Sequence, residues 1–137
     1  MAVIEELIRT EGDGSISFGN HALAEKAKKE DYESAGDIYK VKTYGAMTKL
    51  EKNGMFLYES VPGTSVSNFN ETENGVSFTV SGSEDAQITV GLRDDSEYDV
   101  SVGGSDIGRM KTNMGGKLVV SLELSDGADQ EVRIVKA

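Results

Sequence analysis

The side chains of this chain that could do chemistry are mostly oxygen donors. Its 24 Asp and Glu stand against 14 Lys and Arg, one histidine and no cysteine. Carboxylates serve two chemistries: they hold hard cations, calcium first, and in pairs across a cleft they perform acid–base work on glycosidic bonds. The densest groups are Glu11 and Asp13 in EGDGSISF (residues 11–18), and the run Asp94, Asp95, Glu97 and Asp99. Glu11, Asp13, Asp94 and Asp95 are the candidate ligands of a loose calcium site, and no other cofactor is expected. For acid–base work the second group is poorly placed. Asp94 and Asp95 fall in a turn signal, and Glu97 and Asp99 alternate with Tyr98 toward the solvent side of a strand. With His21 alone and no thiol, nucleophilic triads and thiolate metal sites lack their parts. His21, set between Asn20 and Ala22, reads as a surface or capping residue, and no catalytic residue is assigned.

EGDGSISF also has the look of the second half of a calcium-binding helix-loop-helix segment. Placing Gly14 at the sixth loop position puts Arg9 at the first and Asn20 at the twelfth, so a cation sits where the first ligand belongs and the bidentate carboxylate is missing. The segment is instead expected to be a tight turn feeding a strand from Ser15 to Phe18, with Ile16 and Phe18 inward. Aromatic residues offer a further chemistry, the stacking of sugar rings. Tyr39, Tyr44, Phe56 and Tyr58 crowd the first half, and Tyr44, Phe56 and Tyr58 are the candidates for such a platform; Tyr39 shares strand parity with Val41, and Phe56 and Tyr58 share one face of a strand, so most of the four are expected in the core.

These groups must be positioned by elements that the alternation of apolar and polar residues marks out. After residue 63 the runs are Val76/Phe78/Val80, Ile88/Val90/Leu92, Tyr98/Val100/Val102, Leu118/Val120/Leu122/Leu124 and Val132/Ile134, with a fainter strand over 107–111. Period-two alternation means one face in a core and one in water. Turn signals separate the runs: Asn74-Gly75, Gly82-Ser83, Asp94-Asp95-Ser96, Gly103-Gly104, Gly115-Gly116 and Asp126-Gly127. About seven strands then fit residues 63–137, the density of an antiparallel immunoglobulin-like β-sandwich. Before them, DIYKVKTY (37–44) alternates, and residues 49–60 read as a hairpin turning at Asn53-Gly54. Residues 3–9 fit a helical turn pair or a strand. Residues 21–29 fit a helix, with Asn20 as N-cap, or a strand, since Leu23 and alanines alone make a thin apolar stripe. Pro62-Gly63, holding the only proline, is the expected hinge. The fold expected is all-β: a small β-rich unit over 1–62 and a sandwich over 63–137, with at most one or two short helices.

Two resemblances bear on this plan. The stretch from Leu92 to Val102, LRDDSEYDVSV, resembles the L-x-x-x-T-x-Y-x-V-x-V segment of fibronectin type III domains. That implies a packed Tyr98 whose hydroxyl bonds back to the chain upstream. The family places one strand after this segment and the pattern here places three, so the strand order is not carried over. The stretches KLEKNGMFLYESVPGT (49–64) and GGKLVVSLEL (115–124) resemble short acidic bacterial proteins that carry the label endosialidase. The label implies glycan chemistry, yet the chain has no tryptophan for Asp boxes and is too short for a propeller. Its four arginines, Arg9, Arg93, Arg109 and Arg133, are scattered.

The formal charge of −10 is uneven, with 8 basic against 11 acidic residues up to 62 and 6 against 13 beyond. Such a surface repels phosphate backbones and anionic lipid, so nucleic acid and membrane are not expected partners. No 18-residue apolar run occurs and the first residues do not form a signal-peptide core, which points to a cytoplasmic protein. The functional expectation is a non-catalytic interaction or structural protein that associates with itself into a homo-oligomer. A carbohydrate-binding module is the alternative, a glycan-active enzyme a distant third, and a glycan or another protein the remaining partner classes.

Overall fold

The computed structural model describes residues 3–124 and 129–137. Thirteen strands form among these residues, in the order β1 (Ile8–Thr10), β2 (Ile16–Phe18), β3 (Ala27–Ser34), β4 (Asp37–Tyr44), β5 (Met47–Lys52), β6 (Met55–Val61), β7 (Ser65–Thr72), β8 (Gly75–Ser81), β9 (Ala86–Gly91), β10 (Glu97–Val102), β11 (Ser105–Lys111), β12 (Lys117–Leu122) and β13 (Gln130–Lys136). They make two antiparallel sheets, one of seven strands in the order β1-β2-β7-β8-β13-β10-β11 and one of six in the order β12-β9-β6-β5-β4-β3. The sheets pack face to face as a sandwich.

The turns that reverse the chain follow from its glycines and asparagines. Asn53 and Gly54 both take positive φ, 53° and 78°, which is what a two-residue hairpin between twisted strands demands. The turn signal at Asp126-Gly127 lies outside the described residues. Three expectations are corrected. Residues 21–29 hold no helix: a turn follows Asn20, whose side chain accepts from the Ala22 amide at 3.1 Å, and Ala27–Lys29 already belong to β3. The stripe of Leu23 and alanines is thin, whereas the backbone from Ala27 onward gains ladder bonds with β4. Residues 3–9 become neither a helical turn pair nor one strand, because Leu7 takes a φ of 73° and only Ile8–Thr10 pair, with Ile4 and Ile8 both buried.

The third correction concerns the boundary at Pro62-Gly63, which separates neither two sheets nor two cores. β1 and β2 join the later strands through β2–β7, and β9 joins the earlier ones through β6–β9. The seven strands beyond residue 63 are present, but five lie in one sheet and two in the other, where β6, β5, β4 and β3 complete the layer. One hydrophobic cluster runs between the sheets. At its centre Phe18, Tyr58, Phe69 and Phe78, from four strands, meet mostly edge to face, the Phe18 and Tyr58 centroids 5.3 Å apart. Each such aromatic pair adds about 0.5–1.5 kcal/mol beyond its area burial.

Residues 61–64 carry the chain from one sheet to the other, and this crossing is tight. Gly63 donates to the Gly45 carbonyl at 3.0 Å, and a Cβ built on it would lie 1.9 Å from the Tyr44 carbonyl oxygen. Beside it runs a buried hydroxyl network. Thr64 Oγ1 meets the Tyr58 hydroxyl at 2.8 Å and Ser60 Oγ at 2.7 Å, while Thr48 donates to the Thr64 carbonyl at 2.7 Å and bonds Thr43 at 2.8 Å. Burial pushes the Tyr58 hydroxyl far above its ordinary titration range, so it acts only as a neutral hydrogen-bonding group.

Candidate functional site

A concavity opens at one end of the sandwich, where four turns converge. It is a cleft of about 510 Å³, within the usual size of a small-molecule site. Met55 and Phe56 enter from the β5–β6 hairpin, Glu71 and Glu73 from the β7–β8 hairpin, and Leu92 and Arg93 from the β9–β10 connection. Phe56 reaches it through an irregularity. Between Leu50 and Glu51 the β5–β6 register slips by one residue, so Leu57 and Tyr58 are both buried and Phe56 pairs with Glu51 on the outer face. A bulge of this kind re-aims a side chain.

The β9–β10 wall is held from several sides. The Arg93 amide donates to the Tyr98 hydroxyl at 3.3 Å and its carbonyl accepts from Thr112 Oγ1 at 2.7 Å. The Leu92 amide bonds the Gly116 carbonyl at 2.7 Å. Gly91 and Gly116 permit this closeness, since a Cβ on either would lie 2.6 Å from the Phe56 carbonyl oxygen or 2.3 Å from that of Leu92. Arg93 therefore projects from a pinned backbone, the arrangement that keeps the ordering cost of binding low.

Four charged residues line the cleft. Lys52 and Glu71 bond each other at 3.0 Å, and Asp37 lies 3.5 Å from Lys52 on its other side. Burial works to lower the Lys52 pKa, but the hydrogen bond and charge of Glu71 prevail and raise it, so it is a fixed cation. Arg93 and Glu73 remain: among the described residues neither side chain forms an ion pair or hydrogen bond. Lys117 Nζ sits 4.5 Å from the Phe56 ring centroid, and this cation keeps the aromatic edge of the cleft ordered.

Of the residues expected to act together, the structure brings few together. Tyr98 is buried, with its hydroxyl bonded five residues upstream. Tyr58 is wholly buried in the core, which removes it from any sugar-stacking platform and separates it from Phe56; the register slip is the reason. Tyr44 is half-exposed near the crossing, with Lys26 Nζ 5.8 Å from its ring centroid. Glu11 and Asp13 are turn residues. Glu11 accepts from Ser17 Oγ and, at 2.9 Å, from Arg9, while Asp13 accepts from the Ser15 amide and hydroxyl at 3.0 and 2.6 Å. These bonds hold both carboxyls below their ordinary range, the Ser17 bond foremost for Glu11 and the Ser15 bonds for Asp13. Asp94 and Asp95 lie in the β9–β10 turn, Asp95 3.1 Å from Lys111. No three His, Asp or Glu side chains converge as a metal site among the described residues.

His21 is a further correction. It is only 5% exposed, and its Nδ1 lies 2.7 Å from Ser65 Oγ, itself 0% exposed. The spacing resembles a nucleophile–base pair, with Ser65 wholly buried and His21 nearly so. Burial lowers the His21 pKa. The sequence reading passed over Lys52, Glu71, Glu73 and Arg93, because the register and the convergence of turns that gather them leave no local pattern. Set beside known proteins, the chain matches no family model, no curated protein and no solved structure.

Proposed function

We propose that the protein is a non-catalytic interaction module whose binding site is the cleft at the end of the sandwich. One observation carries this reading. The cleft leaves open a guanidinium, a single carboxylate and an aromatic ring, Arg93, Glu73 and Phe56, while its second carboxylate, Glu71, is bonded to Lys52 and the Tyr98 hydroxyl to the Arg93 amide, so the pair of free carboxylates that acid–base work on glycosidic bonds uses is not present in its lining. Arg and aromatic side chains are the usual anchors of binding sites. The test is a fragment screen by saturation-transfer NMR on the wild-type chain and on Phe56→Ala. Fragments that bind the wild type should lose their signal with the variant, and a hit list that Phe56→Ala leaves intact would place the site elsewhere.

A second reading, self-association, is favoured by a different observation. The outer face of the six-stranded sheet and its edge expose Ile38 (47%), Val61 (57%) and Val119 (46%), and Met114 (91%) is exposed in the turn before β12. The edge strand β12 continues its ladder with β9 without a register shift, whereas the opposite edge, β3, is bent by one at Lys29/Tyr32 and carries Lys28 and Lys29. Bulges and lysines protect an edge, and a regular one invites pairing. Light scattering at tens of micromolar should give a mass above that of one chain; Val119→Lys should return it to the monomer value.

A further inference from the structure

The two unpartnered charges of the cleft differ in sign and come from different connections, one a hairpin turn and the other a crossover between the sheets. Glu73 stands in the β7–β8 turn and Arg93 in the β9–β10 connection, with Phe56, Met55 and Leu92 lining the space they share. They do not bond each other, and the remaining charges of the cleft, Lys52 and Glu71, neutralise one another at 3.0 Å. A simple anion would meet Arg93 but also face Glu73, and a simple cation would face Arg93. We propose that the cleft takes a small zwitterion with an apolar body, its carboxylate on the Arg93 guanidinium and its ammonium on the Glu73 carboxylate, its body against Phe56.

The chemistry of each contact favours this assignment. A guanidinium presents paired N–H donors that match a carboxylate, and such charge-assisted bonds are about twice as strong as neutral ones. The Arg93 backbone is fixed on both sides by Tyr98 and Thr112, so the side chain starts from a fixed point at the rim of the cleft. A ligand lacking one charge leaves the opposite protein charge facing an apolar body, and discrimination arises from that mismatch as much as from the bond gained.

This inference rests on the cleft being the binding site, and four matched dipeptides separate the two ideas. Glycyl-phenylalanine carries both charges, N-acetyl-glycyl-phenylalanine only the carboxylate, glycyl-phenylalaninamide only the ammonium, and N-acetyl-glycyl-phenylalaninamide neither. Each is titrated into the ¹⁵N-labelled full chain while the amides of Gly91, Leu92, Arg93 and Gly115 are followed. The zwitterion should bind at least tenfold more tightly than either singly charged analogue. Arg93→Gln should make glycyl-phenylalanine and its amide bind equally, and Glu73→Gln should do the same for glycyl-phenylalanine and its N-acetyl form. Neither side chain bonds another of the described residues, so both variants should keep the wild-type spectrum away from the cleft. Four dipeptides of equal affinity would overturn the zwitterion while leaving the cleft as the site. If the neutral dipeptide moves the cleft amides but the zwitterion binds no better, the inference falls in the same way. No shift with any of the four would overturn both.

Discussion

Replacing Gly63 by alanine tests how the two sheets are joined. The glycine sits in the crossing from β6 to β7, and its φ is not in the left-handed region, so the backbone itself accepts alanine. What opposes the substitution is space: the new Cβ would lie 1.9 Å from the Tyr44 carbonyl oxygen, 3.1 Å from the Tyr44 carbonyl carbon and 3.3 Å from the Met47 carbonyl oxygen. These are backbone atoms of the β4–β5 hairpin and cannot swing aside, so the crossing must lift. Overpacking of this kind costs about 1–3 kcal/mol. Lifting also breaks the bond from Gly63 to Gly45 and strains those that Thr64 makes with Thr48, Tyr58 and Ser60, at about 1 kcal/mol or more for each buried group left unpaired. A loss of about 3–5 kcal/mol is expected, a large part of the 5–15 kcal/mol that domains possess. Urea unfolding followed by circular dichroism measures it, with Gly12→Ala as the control, since nothing lies within 4 Å of a Cβ there. The interleaved sheets predict one lowered transition, not the loss of one transition of two. A Gly63→Ala chain within about 0.5 kcal/mol of wild type, the range of ordinary surface changes, would refute the packing of this crossing.

Three other outcomes follow from named contacts. Tyr98→Phe keeps the buried ring and deletes the acceptor of the Arg93 amide, so stability should fall by about 1 kcal/mol and that amide should exchange faster; unchanged exchange would show that the hydroxyl does not hold the loop. His21 has its pKa lowered by burial, so the unfolded chain binds its proton first: its contribution is full above the unfolded value of about 6.5 and falls as pH drops below it. Urea titrations at pH 7.5 and 5.5 should therefore show a loss that His21→Gln abolishes, while Glu11, Asp13, Glu30 and Asp37, all shifted downward by hydrogen bonds, lose their contribution only below about pH 4. Lys42 lies between Lys28 and Lys49 in the cross-strand register, and like charges directly opposite destabilise a sheet, so Lys42→Thr should gain about 0.5 kcal/mol in the same assay.

The strands were legible wherever alternation was clean. DIYKVKTY is β4 residue for residue, and Val76, Phe78 and Val80 all face the core of β8. The hairpin at Asn53-Gly54 was legible because its turn chemistry is local. Pairing order was not, since β2 meets β7 and β6 meets β9 across many intervening residues, and no local pattern encodes such partners. The bulge at Leu57 was hidden for a related reason: one extra residue reverses the parity on which the inward and outward readings of Phe56 and Tyr58 depended. The cleft suffered from both, because its charges come from two hairpins and a crossover between the sheets, and its aromatic wall from the bulge. His21 was misjudged on its neighbours Asn20 and Ala22, when its burial is decided by Ser65, 44 residues away.

Whether ligands enter the end cleft is answered most directly by a crystal structure of the full chain grown with glycyl-phenylalanine. The dipeptide should lie against Phe56, with a carboxylate oxygen about 2.7–2.9 Å from the Arg93 guanidinium. A saturated crystal that holds the dipeptide elsewhere, or leaves the cleft empty, would contradict it.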